Sequence, residues 1–464
     1  MIIKLGTRKH PFFRTILVAV SVLVLALVPL LPAQADAGSA DHHPTTPIQH
    51  IVIVMQENHT FDNYFGTYPG VDGLPAGTSM PIDPSNLSLG TVAPWHIGMS
   101  TITDLSHSSA TFKDQYNNGN MDGFVSALNK RNQDGKLSMG YYDGRDIPYY
   151  WNLADNYVLF DEFFSSATDG SFANHMYWVS AAPPEPPKDQ TLYQWLDSVP
   201  TIFDELQAAG VSWKFYVQNY DPTITYHTAA TAGNRESQVI WVPLLNMDRF
   251  IDNPTLSSHI VDLSQYYSDL ENGTLPSVSY IVPSGASEHP PSSLTSGQKF
   301  IKTLIQELMR SSSWDSSAFM LAYDDWGGWY DHVHPPQVDA YGYGLRVPVI
   351  LVSPYAKKGY VDSTVLDFTS MLKFIEQNWG VPSLTQRDAN ANNILSAFDF
   401  NQAPREAVYV SATRADTTVA KKDPSKIISM AYGLASTISI LAIGLAFYRS
   451  RQQKSKQNKG ETNP

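Results

Sequence analysis

Two short polar pairs, Glu57-Asn58 and Asp324-Asp325, are the residues of this sequence best suited to chemistry. Together they offer three carboxylates and one amide oxygen, and carboxylates within a few ångströms of one another raise one another's pKa. A divalent cation would remove that conflict. Oxygen ligands favour Ca²⁺, Mg²⁺ or Mn²⁺, although Zn²⁺ also accepts carboxylates. Because either pair alone is more often a solvated loop or a helix cap, the surrounding elements must decide between the two interpretations.

Four apolar runs predict buried strands, and each is followed directly by a polar cluster; the runs are residues 51–55, 278–282, 319–323 and 347–352. The two pairs follow the first and third runs, and a loop with Glu288-His289-Pro290 follows the second. Helical patterns lie between them, at residues 201–209, 296–310 and 367–379. This alternation predicts an α/β fold with a mostly parallel sheet and helices on both faces. Ligand sites of such sheets collect beyond the carboxyl ends of the strands, where we expect all four clusters.

The N-terminus has the pattern of an export signal. Four basic residues precede or flank the start of an apolar run at 16–31, and Ala33-Gln34-Ala35 supplies an A-x-A cleavage site. We therefore predict a signal peptide at residues 1–35 and an exported mature chain. The alternative, a retained signal anchor, is disfavoured because the apolar run is short.

The C-terminus has the pattern of a membrane anchor. Residues 427–448 carry no charge over a length sufficient to cross a bilayer core, and the basic tail 449–464 orients this end toward the cytoplasm. Residues 412–426 are polar and form the predicted linker, which leaves 36–411 as the catalytic domain. The alternative for the apolar segment is a buried core helix. The prediction is a single-pass membrane protein at the cell surface with its body outside.

The composition limits the metal ligands and the partners. The chain has no cysteine, so any metal must be bound by oxygen or imidazole ligands. The formal net charge is −13 although both termini are basic, so the body between them is strongly acidic. Such a body repels polyanions, which argues against nucleic-acid binding. A phosphorylated substrate would need local positive charge, which a bound metal can provide.

Four segments resemble, in order and spacing, motifs of the bacterial phosphoesterase family, which includes phospholipases C of the non-haemolytic type and a group of acid phosphatases. They are HIVIVMQENHTFDNYFGTYPGVDG (50–73), DLSHSSATFKDQYNNGNMDGFV (104–125), YDDWGGWYDHVHPP (323–336) and GLRVPVILVSPYAKKGYVDST (344–364). The resemblance spans residues 48–380. It implies an alkaline-phosphatase-like α/β fold in which a serine or threonine attacks phosphorus beside a metal. The implied metal ligands are Glu57, Asn58, Asp324 and Asp325.

The resemblance places the nucleophile at Ser171, by alignment on Asn174 and Tyr177, and adds Ser171 to the metal ligands. A helix that begins after Asp169-Gly170 would present free N–H groups and a positive dipole end to a phosphate. This segment reads Asp-Gly-Ser where the family commonly has Gly-Pro-Thr or Gly-Pro-Ser. A plain N-cap is the alternative role of Ser171. Other hydroxyls compete for the position of the nucleophile: Ser165, Ser166 and Thr168.

The resemblance also implies roles for three histidines and for Asn174. His107 and His289 correspond to histidines that contact phosphate oxygens or protonate the leaving group, and imidazole suits both tasks because its pKa lies near working pH. His332 either contacts the substrate or braces the Gly-Gly loop, and Asn174 belongs to the expected substrate-binding residues. The pair Trp95-His96 is an alternative to His107. Two residues are expected to support the first metal loop: His59 and Asp62.

These features predict a metal-dependent phosphoesterase with a serine nucleophile, either phospholipase C-like or acid-phosphatase-like. Its substrate would be a phospholipid headgroup or a soluble phosphomonoester, and Trp326, Trp329 and Tyr330 would either form a choline-accepting cage or wall the cleft. The alternative is a non-catalytic cell-surface binding module on the same fold, which we would expect to lack at least one site residue. A sulfatase or an enzyme of the phosphoglycerate-mutase type would need a modified cysteine or the ligands of a second metal.

Overall fold

The structure is a computed structural model that describes residues 43–231 and 237–414. The predicted signal peptide, membrane helix 427–448 and cytoplasmic tail lie outside the described residues, as does most of the predicted linker. Within the described residues, no helix combines the length and the apolar composition needed to cross a bilayer. The domain boundaries, the export and the anchor therefore stay predictions.

The described residues form one eight-stranded sheet and two small two-stranded sheets. In chain order the strands are β1 (His50–Gln56), β2 (Met80–Pro81), β3 (Thr91–Val92), β4 (Trp95–His96), β5 (Gly140–Tyr141), β6 (Val158–Phe160), β7 (Trp213–Val217), β8 (Ile260–Asp262), β9 (Val278–Val282), β10 (Ser317–Tyr323), β11 (Val349–Val352) and β12 (Tyr360–Asp362). The order across the main sheet is β12-β6-β11-β10-β1-β9-β7-β8. Every residue of β9 and β10 is buried, so both faces of the sheet are covered, as the continuous apolar runs predict.

The sheet is mostly parallel, and β11 is the strand that runs against its neighbours β10 and β6. The predicted α/β class is confirmed, but the expectation that all four polar clusters meet at one edge of the sheet is wrong. The cluster after β11, which begins at Ser353, lies at the opposite edge of the sheet from the ends of β1 and β10. The reason is the connection 324–348, which contains no helix, whereas a parallel pairing needs a crossover connection that is usually helical. Three clusters rather than four meet at one edge.

Helices fill the connections between most strands. They are α1 (Phe61–Phe65), α2 (Ser109–Tyr116), α3 (Phe124–Asn129), α4 (Pro148–Ala154), α5 (Ser171–Ser180), α6 (Leu192–Ser198), α7 (Ile202–Ala209), α8 (Ser237–Trp241), α9 (Asp248–Ile251), α10 (Pro254–Ser257), α11 (Ser264–Asn272), α12 (Leu294–Arg310), α13 (Phe368–Trp379) and α14 (Gln386–Asn390). The three helices expected from sequence are confirmed as α7, α12 and α13, with bounds that differ by one or two residues. Capping boxes at Thr201 and Asp367 explain where α7 and α13 begin.

Candidate active site

The two polar pairs meet because β1 and β10 are parallel neighbours in register. Gln56 lies opposite Tyr323, so the chain leaves both strands at the same level and Glu57 emerges beside Asp324. The backbone N–H of Asn58 donates to Asp324 Oδ1 at 3.0 Å and locks the two turns together. We call Glu57, Asn58, Asp324 and Asp325 the carboxylate centre. All four residues are almost fully buried.

The backbone of both turns is adapted to this close approach. Asn58 has a φ of +60°, a left-handed conformation that asparagine tolerates better than most residues. Gly327, two residues after Asp325, also has a positive φ, and a Cβ atom there would lie 2.3 Å from the carbonyl oxygen of Asn58. The absence of a side chain at Gly327, the first glycine of the second signature, therefore lets the two turns touch.

Ser171 is the first residue of α5, and its hydroxyl faces the carboxylate centre. Ser171 Oγ lies 3.2 Å from Glu57 Oε2 and 3.4 Å from Asp325 Oδ2, so its one hydrogen is shared between two acceptors. Gly170 is the N-cap and makes no side-chain cap, so the structure does not use Ser171 as an ordinary N-cap. The first N–H groups of a helix lack intrahelical partners, and here they lie beside the Ser171 hydroxyl.

Asn174 and the competing hydroxyls make contacts within the fold. Asn174 Oδ1 accepts from the Ala167 N–H at 2.9 Å, and its Nδ2 donates to the Asp169 carbonyl at 2.8 Å, so it fixes the turn that precedes Ser171. Ser166 Oγ donates to Asp367 Oδ2 at 2.9 Å, and Ser165 Oγ lies 3.3 Å from the carbonyl oxygen of Leu345. Both serines are fully buried. Of these serines, Ser171 is the one that contacts the centre.

The rings of His107 and His289 lie side by side, with centroids 5.6 Å apart, near the carboxylate centre. His107 Nδ1 donates to the Leu105 carbonyl at 2.7 Å, and its Nε2 lies 3.2 Å from Asn58 Nδ2. Burial opposes a charge on this ring, but the carboxylates of Asp325 and Asp104 outweigh burial and raise the pKa of His107 to about 9. His289 Nδ1 donates to the Pro290 carbonyl at 2.7 Å. The structure thus brings both predicted histidines to the centre.

Burial and mutual repulsion disfavour the charged state of the carboxylates in the carboxylate centre. Burial, together with repulsion between neighbouring carboxylates, raises the pKa of Glu57, Asp324 and Asp325 to about 7 each. Two buried oxygen atoms, Asn58 Oδ1 and Asp324 Oδ2, also make no hydrogen bond within the described part of the chain. An unsatisfied buried polar atom costs about 1–3 kcal/mol. Oxygen atoms with surplus negative charge and no donor fit a divalent cation, as the predicted ligand set requires.

A second charged cluster, the Arg346 network, lies a few residues further along the same two loops. Arg346 is fully buried; its Nε donates to Asp331 Oδ1 at 2.9 Å and its Nη2 to Asp62 Oδ1 at 3.1 Å. His332 Nδ1 pairs with Asp62 Oδ2 at 2.7 Å, and His332 Nε2 lies 3.2 Å from Asp72. His332 therefore contacts Asp62 and Asp72 rather than the Gly-Gly loop, and Asp62 links His332 to Arg346.

The loop that carries His289 is anchored by a buried glutamate that the sequence arguments did not single out. Glu288 accepts hydrogen bonds from Tyr64 at 2.6 Å and Tyr323 at 2.7 Å, and a further, short one from Tyr150. Burial raises the pKa of Glu288 to about 7, although the three tyrosine hydroxyls oppose that shift. Three hydrogen bonds thus fix Glu288, the residue before His289, and with it the backbone that positions the imidazole. The tyrosines come from three separate segments, so no local sequence signal indicates this cluster.

Other residues named from sequence lie in different surroundings. His96 Nε2 pairs with Asp146 at 2.6 Å, which engages the alternative to His107 in an ion pair of its own. The side chains of Trp326 and Trp329 are fully buried. Trp326 Nε1 donates to Gln115 Oε1 at 2.7 Å, and its ring packs edge-on to His107. Both tryptophans therefore belong to the packing around the site and expose no ring face.

One residue missed by the sequence arguments lies directly against the centre. His175 follows Ser171 by four residues on α5, a spacing that puts both side chains on the same side of a helix. Its Nε2 lies 3.3 Å from Glu57 Oε1 and 3.9 Å from Asp324 Oδ2, and together with those two oxygens it forms a group able to hold a metal ion. The helical spacing is the signal that could have found it.

Comparison with known proteins agrees with this geometry. A model of the phosphoesterase family matches residues 48–382. Non-hemolytic phospholipase C of Burkholderia pseudomallei is 28% identical over 85% of this chain and 65% of its own length, and phospholipase C B of Mycobacterium tuberculosis is 28% identical over 81% and 82%. A solved Vibrio parahaemolyticus protein of the alkaline phosphatase superfamily matches with 12% identity and a TM-score of 0.35 over 76% of this chain and 72% of its own, a likeness too distant to carry an argument.

The family match covers most of the chain, and it includes both loops of the carboxylate centre, Ser171, and the loop of His289. The resemblance drawn from the four motifs is therefore confirmed. The match and the names of the relatives support the prediction of a hydrolase that acts on phosphate esters. The chain belongs to the phosphoesterase family.

Proposed function

We propose that this chain hydrolyses phosphate esters with Ser171 as nucleophile at a divalent-cation site formed by the carboxylate centre. The observation that carries the proposal is the position of Ser171 Oγ. It lies within 3.4 Å of carboxylate oxygens of both Glu57 and Asp325, at a helix N-terminus, beside buried oxygen atoms that have no hydrogen-bond donor. A helix N-terminus favours the phosphate, and the serine is in place to attack it.

The residues that would hold the cation are those of the carboxylate centre together with Ser171. When bound, the cation would offset the three carboxylate charges and lower the pKa of the serine hydroxyl. The amide oxygen of Asn58 and Asp324 Oδ2, which make no hydrogen bond within the described residues, would gain a partner. Which ion binds is not fixed by this oxygen set alone, since Ca²⁺, Mg²⁺, Mn²⁺ and Zn²⁺ all accept carboxylates.

The chain's own residues account for the covalent steps. Ser171 Oγ attacks phosphorus in line, so the Oγ–P bond forms while the bond from phosphorus to the alcohol oxygen breaks. The serine proton passes to solvent water, because carboxylates that hold a cation are poor bases, and an imidazolium, His107 or His289, gives its proton to the departing alcohol. Water then attacks phosphorus and releases Ser171, which recovers its proton, while the same imidazole takes the proton of the water.

Two substrate classes fit this chemistry. The relatives that carry the name phospholipase C favour a phosphodiester with a lipid headgroup, and an exported, membrane-anchored chain with its body outside would have access to such headgroups. A soluble phosphomonoester needs the same nucleophile and the same ion. The buried rings of Trp326 and Trp329 give no support to a choline-accepting cage built from them, so headgroup preference is left to measurement.

The test uses the full-length protein in detergent, assayed on a phosphorylcholine diester and on an aromatic phosphomonoester, before and after chelation. Ser171→Ala should lower kcat/KM for the preferred substrate by about 10³-fold or more, because the covalent route is lost. Chelation should have a comparable effect that added metal reverses. The matched control is Ser165→Ala, a neighbouring buried hydroxyl outside the centre, which should change kcat/KM by less than about threefold.

Full activity in Ser171→Ala and in chelated protein would refute the assigned site. Absence of activity on either ester in metal-supplemented wild-type protein would favour the non-catalytic binding module. The ratio of diester to monoester turnover assigns the substrate class.

A further inference from the structure

His175 shares with His107 and His289 a contact from Nδ1 to a backbone carbonyl, and it is the surroundings of its Nε2 that indicate a ligand. Nδ1 lies 2.9 Å from the carbonyl oxygen of Trp241, the last residue of α8. A carbonyl oxygen only accepts, so Nδ1 carries a proton and the lone pair of the neutral ring is on Nε2. Outer contacts of this kind, from the second nitrogen to a backbone carbonyl, are the usual way in which a metal-binding histidine is oriented.

The lone pair of His175 points at negative charge. Nε2 lies 3.3 Å from Glu57 Oε1 and 3.9 Å from Asp324 Oδ2, yet it makes no hydrogen bond within the described residues, and the side chain has no exposed surface. Asp324 Oδ2 and Asn58 Oδ1 are also buried and make no hydrogen bond within the described residues. Three unpartnered atoms, one nitrogen and two oxygens, therefore border the centre. A lone pair that faces carboxylate oxygens is repelled unless positive charge lies between them.

The separations suit donors that share one cation. Adjacent ligands of an ion with bonds of about 2.1 Å lie roughly 3.0–3.4 Å apart, and opposite ligands lie about 4.2 Å apart. The distances from His175 Nε2 to Glu57 and Asp324 fall within these limits. His107 is arranged differently, because its Nε2 lies 3.2 Å from the side-chain nitrogen of Asn58.

We propose that His175 Nε2 is an additional, imidazole ligand of the divalent cation at the Ser171 centre, and that it makes the site select Zn²⁺ or Mn²⁺ over Mg²⁺ and Ca²⁺. The inference rests on the proposed function, since it assumes that the centre binds a cation. An imidazole adds affinity for Zn²⁺ and other transition metals, whereas Mg²⁺ and Ca²⁺ prefer oxygen ligands alone. His175 would also tie the metal to α5, the helix that carries the nucleophile four residues earlier.

Metal binding to the full-length protein in detergent provides the first test. The chelated protein is titrated separately with Zn²⁺, Mn²⁺, Mg²⁺ and Ca²⁺, as wild type and as His175→Gln. Loss of the imidazole should weaken the binding of Zn²⁺ and Mn²⁺ at least about tenfold. It should change the affinity for Mg²⁺ and Ca²⁺ by less than about threefold. The control is His96→Gln, at a histidine that pairs with Asp146 rather than with the centre, which should keep the wild-type preference for Zn²⁺ and Mn²⁺.

A spectroscopic measurement keeps the proposal testable if His175→Gln folds poorly. Pulsed electron paramagnetic resonance of the Mn²⁺-loaded wild type should show ¹⁴N modulation from a coordinated imidazole, retained in His96→Gln and lost in His175→Gln. Wild-type protein that binds Mn²⁺ without ¹⁴N modulation would overturn the inference and leave the proposed function standing, as would unchanged modulation in a folded His175→Gln protein. Wild-type protein that binds none of the four ions would overturn both.

Discussion

The carboxylate centre and the Arg346 network are two buried acidic clusters on the same pair of loops, and they differ in the source of positive charge. In the Arg346 network, a guanidinium from the far end of the connection 324–348 pairs with Asp62 and Asp331, and His332 completes the set. Burial opposes the charge of Arg346, but Asp331 and Asp62 outweigh it and hold its pKa above the ordinary range. The network satisfies its own charges.

Within residues 43–231 and 237–414, no arginine or lysine pairs with the carboxylate centre. Its three carboxylates are as deeply buried as Asp331, and in that part of the chain their basic neighbours are imidazoles and two oxygen atoms of the centre have no donor. The fold can place an arginine against buried carboxylates, as Arg346 demonstrates, so the centre is left open for a reason other than geometry. Perturbed buried groups of this kind concentrate at functional sites. This difference indicates a structural role for the Arg346 network and a functional role for the carboxylate centre.

The largest expected effect on stability comes from disrupting the Arg346 network. Arg346→Met keeps much of the side-chain volume but leaves Asp62 and Asp331 without their guanidinium. The free energy of unfolding should fall by about 3–5 kcal/mol, the usual result of removing one partner from a buried ion pair. Urea unfolding of the full-length protein in detergent measures it. The matched control, Arg310→Gln, breaks an exposed pair with Glu307 and should change stability by about 0.5 kcal/mol or less. Equal stability of the two variants would mean that the network does not carry the loops.

A pair of isosteric substitutions should change stability in opposite directions. In metal-free protein, Asp331→Asn removes a charge that Arg346 needs and should destabilise the fold by about 1–3 kcal/mol. Asp324→Asn removes one of three uncompensated charges and should stabilise the metal-free fold by about 1 kcal/mol. Chemical denaturation in chelator gives both values. Asp324→Asn should also weaken metal binding, whereas Asp331→Asn should retain it. Changes of the same sign would erase the distinction between the clusters.

The third expected effect is a pH dependence of stability to which the carboxylate centre contributes. In metal-free protein, Glu57, Asp324 and Asp325 have folded-state pKa values of about 7, above their unfolded values. Stability is therefore fully present at acidic pH and is lost as pH rises through 7, because the unfolded chain ionises first. The loss should be about 1 kcal/mol per pH unit for each carboxyl that stays protonated only when folded.

Melting temperatures of chelated protein between pH 5 and 8 measure this dependence. Bound metal should flatten or reverse the slope, since it lowers the pKa of its ligands. The slope of Asp324→Asn should lie between those of the chelated and metal-loaded wild type. A slope that is the same with and without metal would assign the pH dependence to other buried acids, such as Glu288, rather than to the centre.

The parts of the site that were predicted from sequence are those whose signal is local. A buried strand followed at once by Glu57-Asn58 or Asp324-Asp325 predicts both the strand and its edge, and the ordered motifs predict the family. The same reasoning failed at Ser353, because the direction of β11 depends on the helix-free connection 324–348 and not on the strand itself. The Glu288 cluster was missed since its three tyrosines come from separate segments.

The sequence alone predicted the α/β class and the family, and it singled out the two polar pairs and Ser171 as candidates, because strand patterns and contiguous motifs are contained in short stretches of chain. Only the tertiary structure decided which charges are compensated. Arg346 reaches Asp62 across 284 residues of chain, and His175 meets Glu57 and Asp324 only after α5 docks against the ends of β1 and β10. Burial and distance set the electrostatics of the site, and both arise only when segments far apart in sequence are packed together.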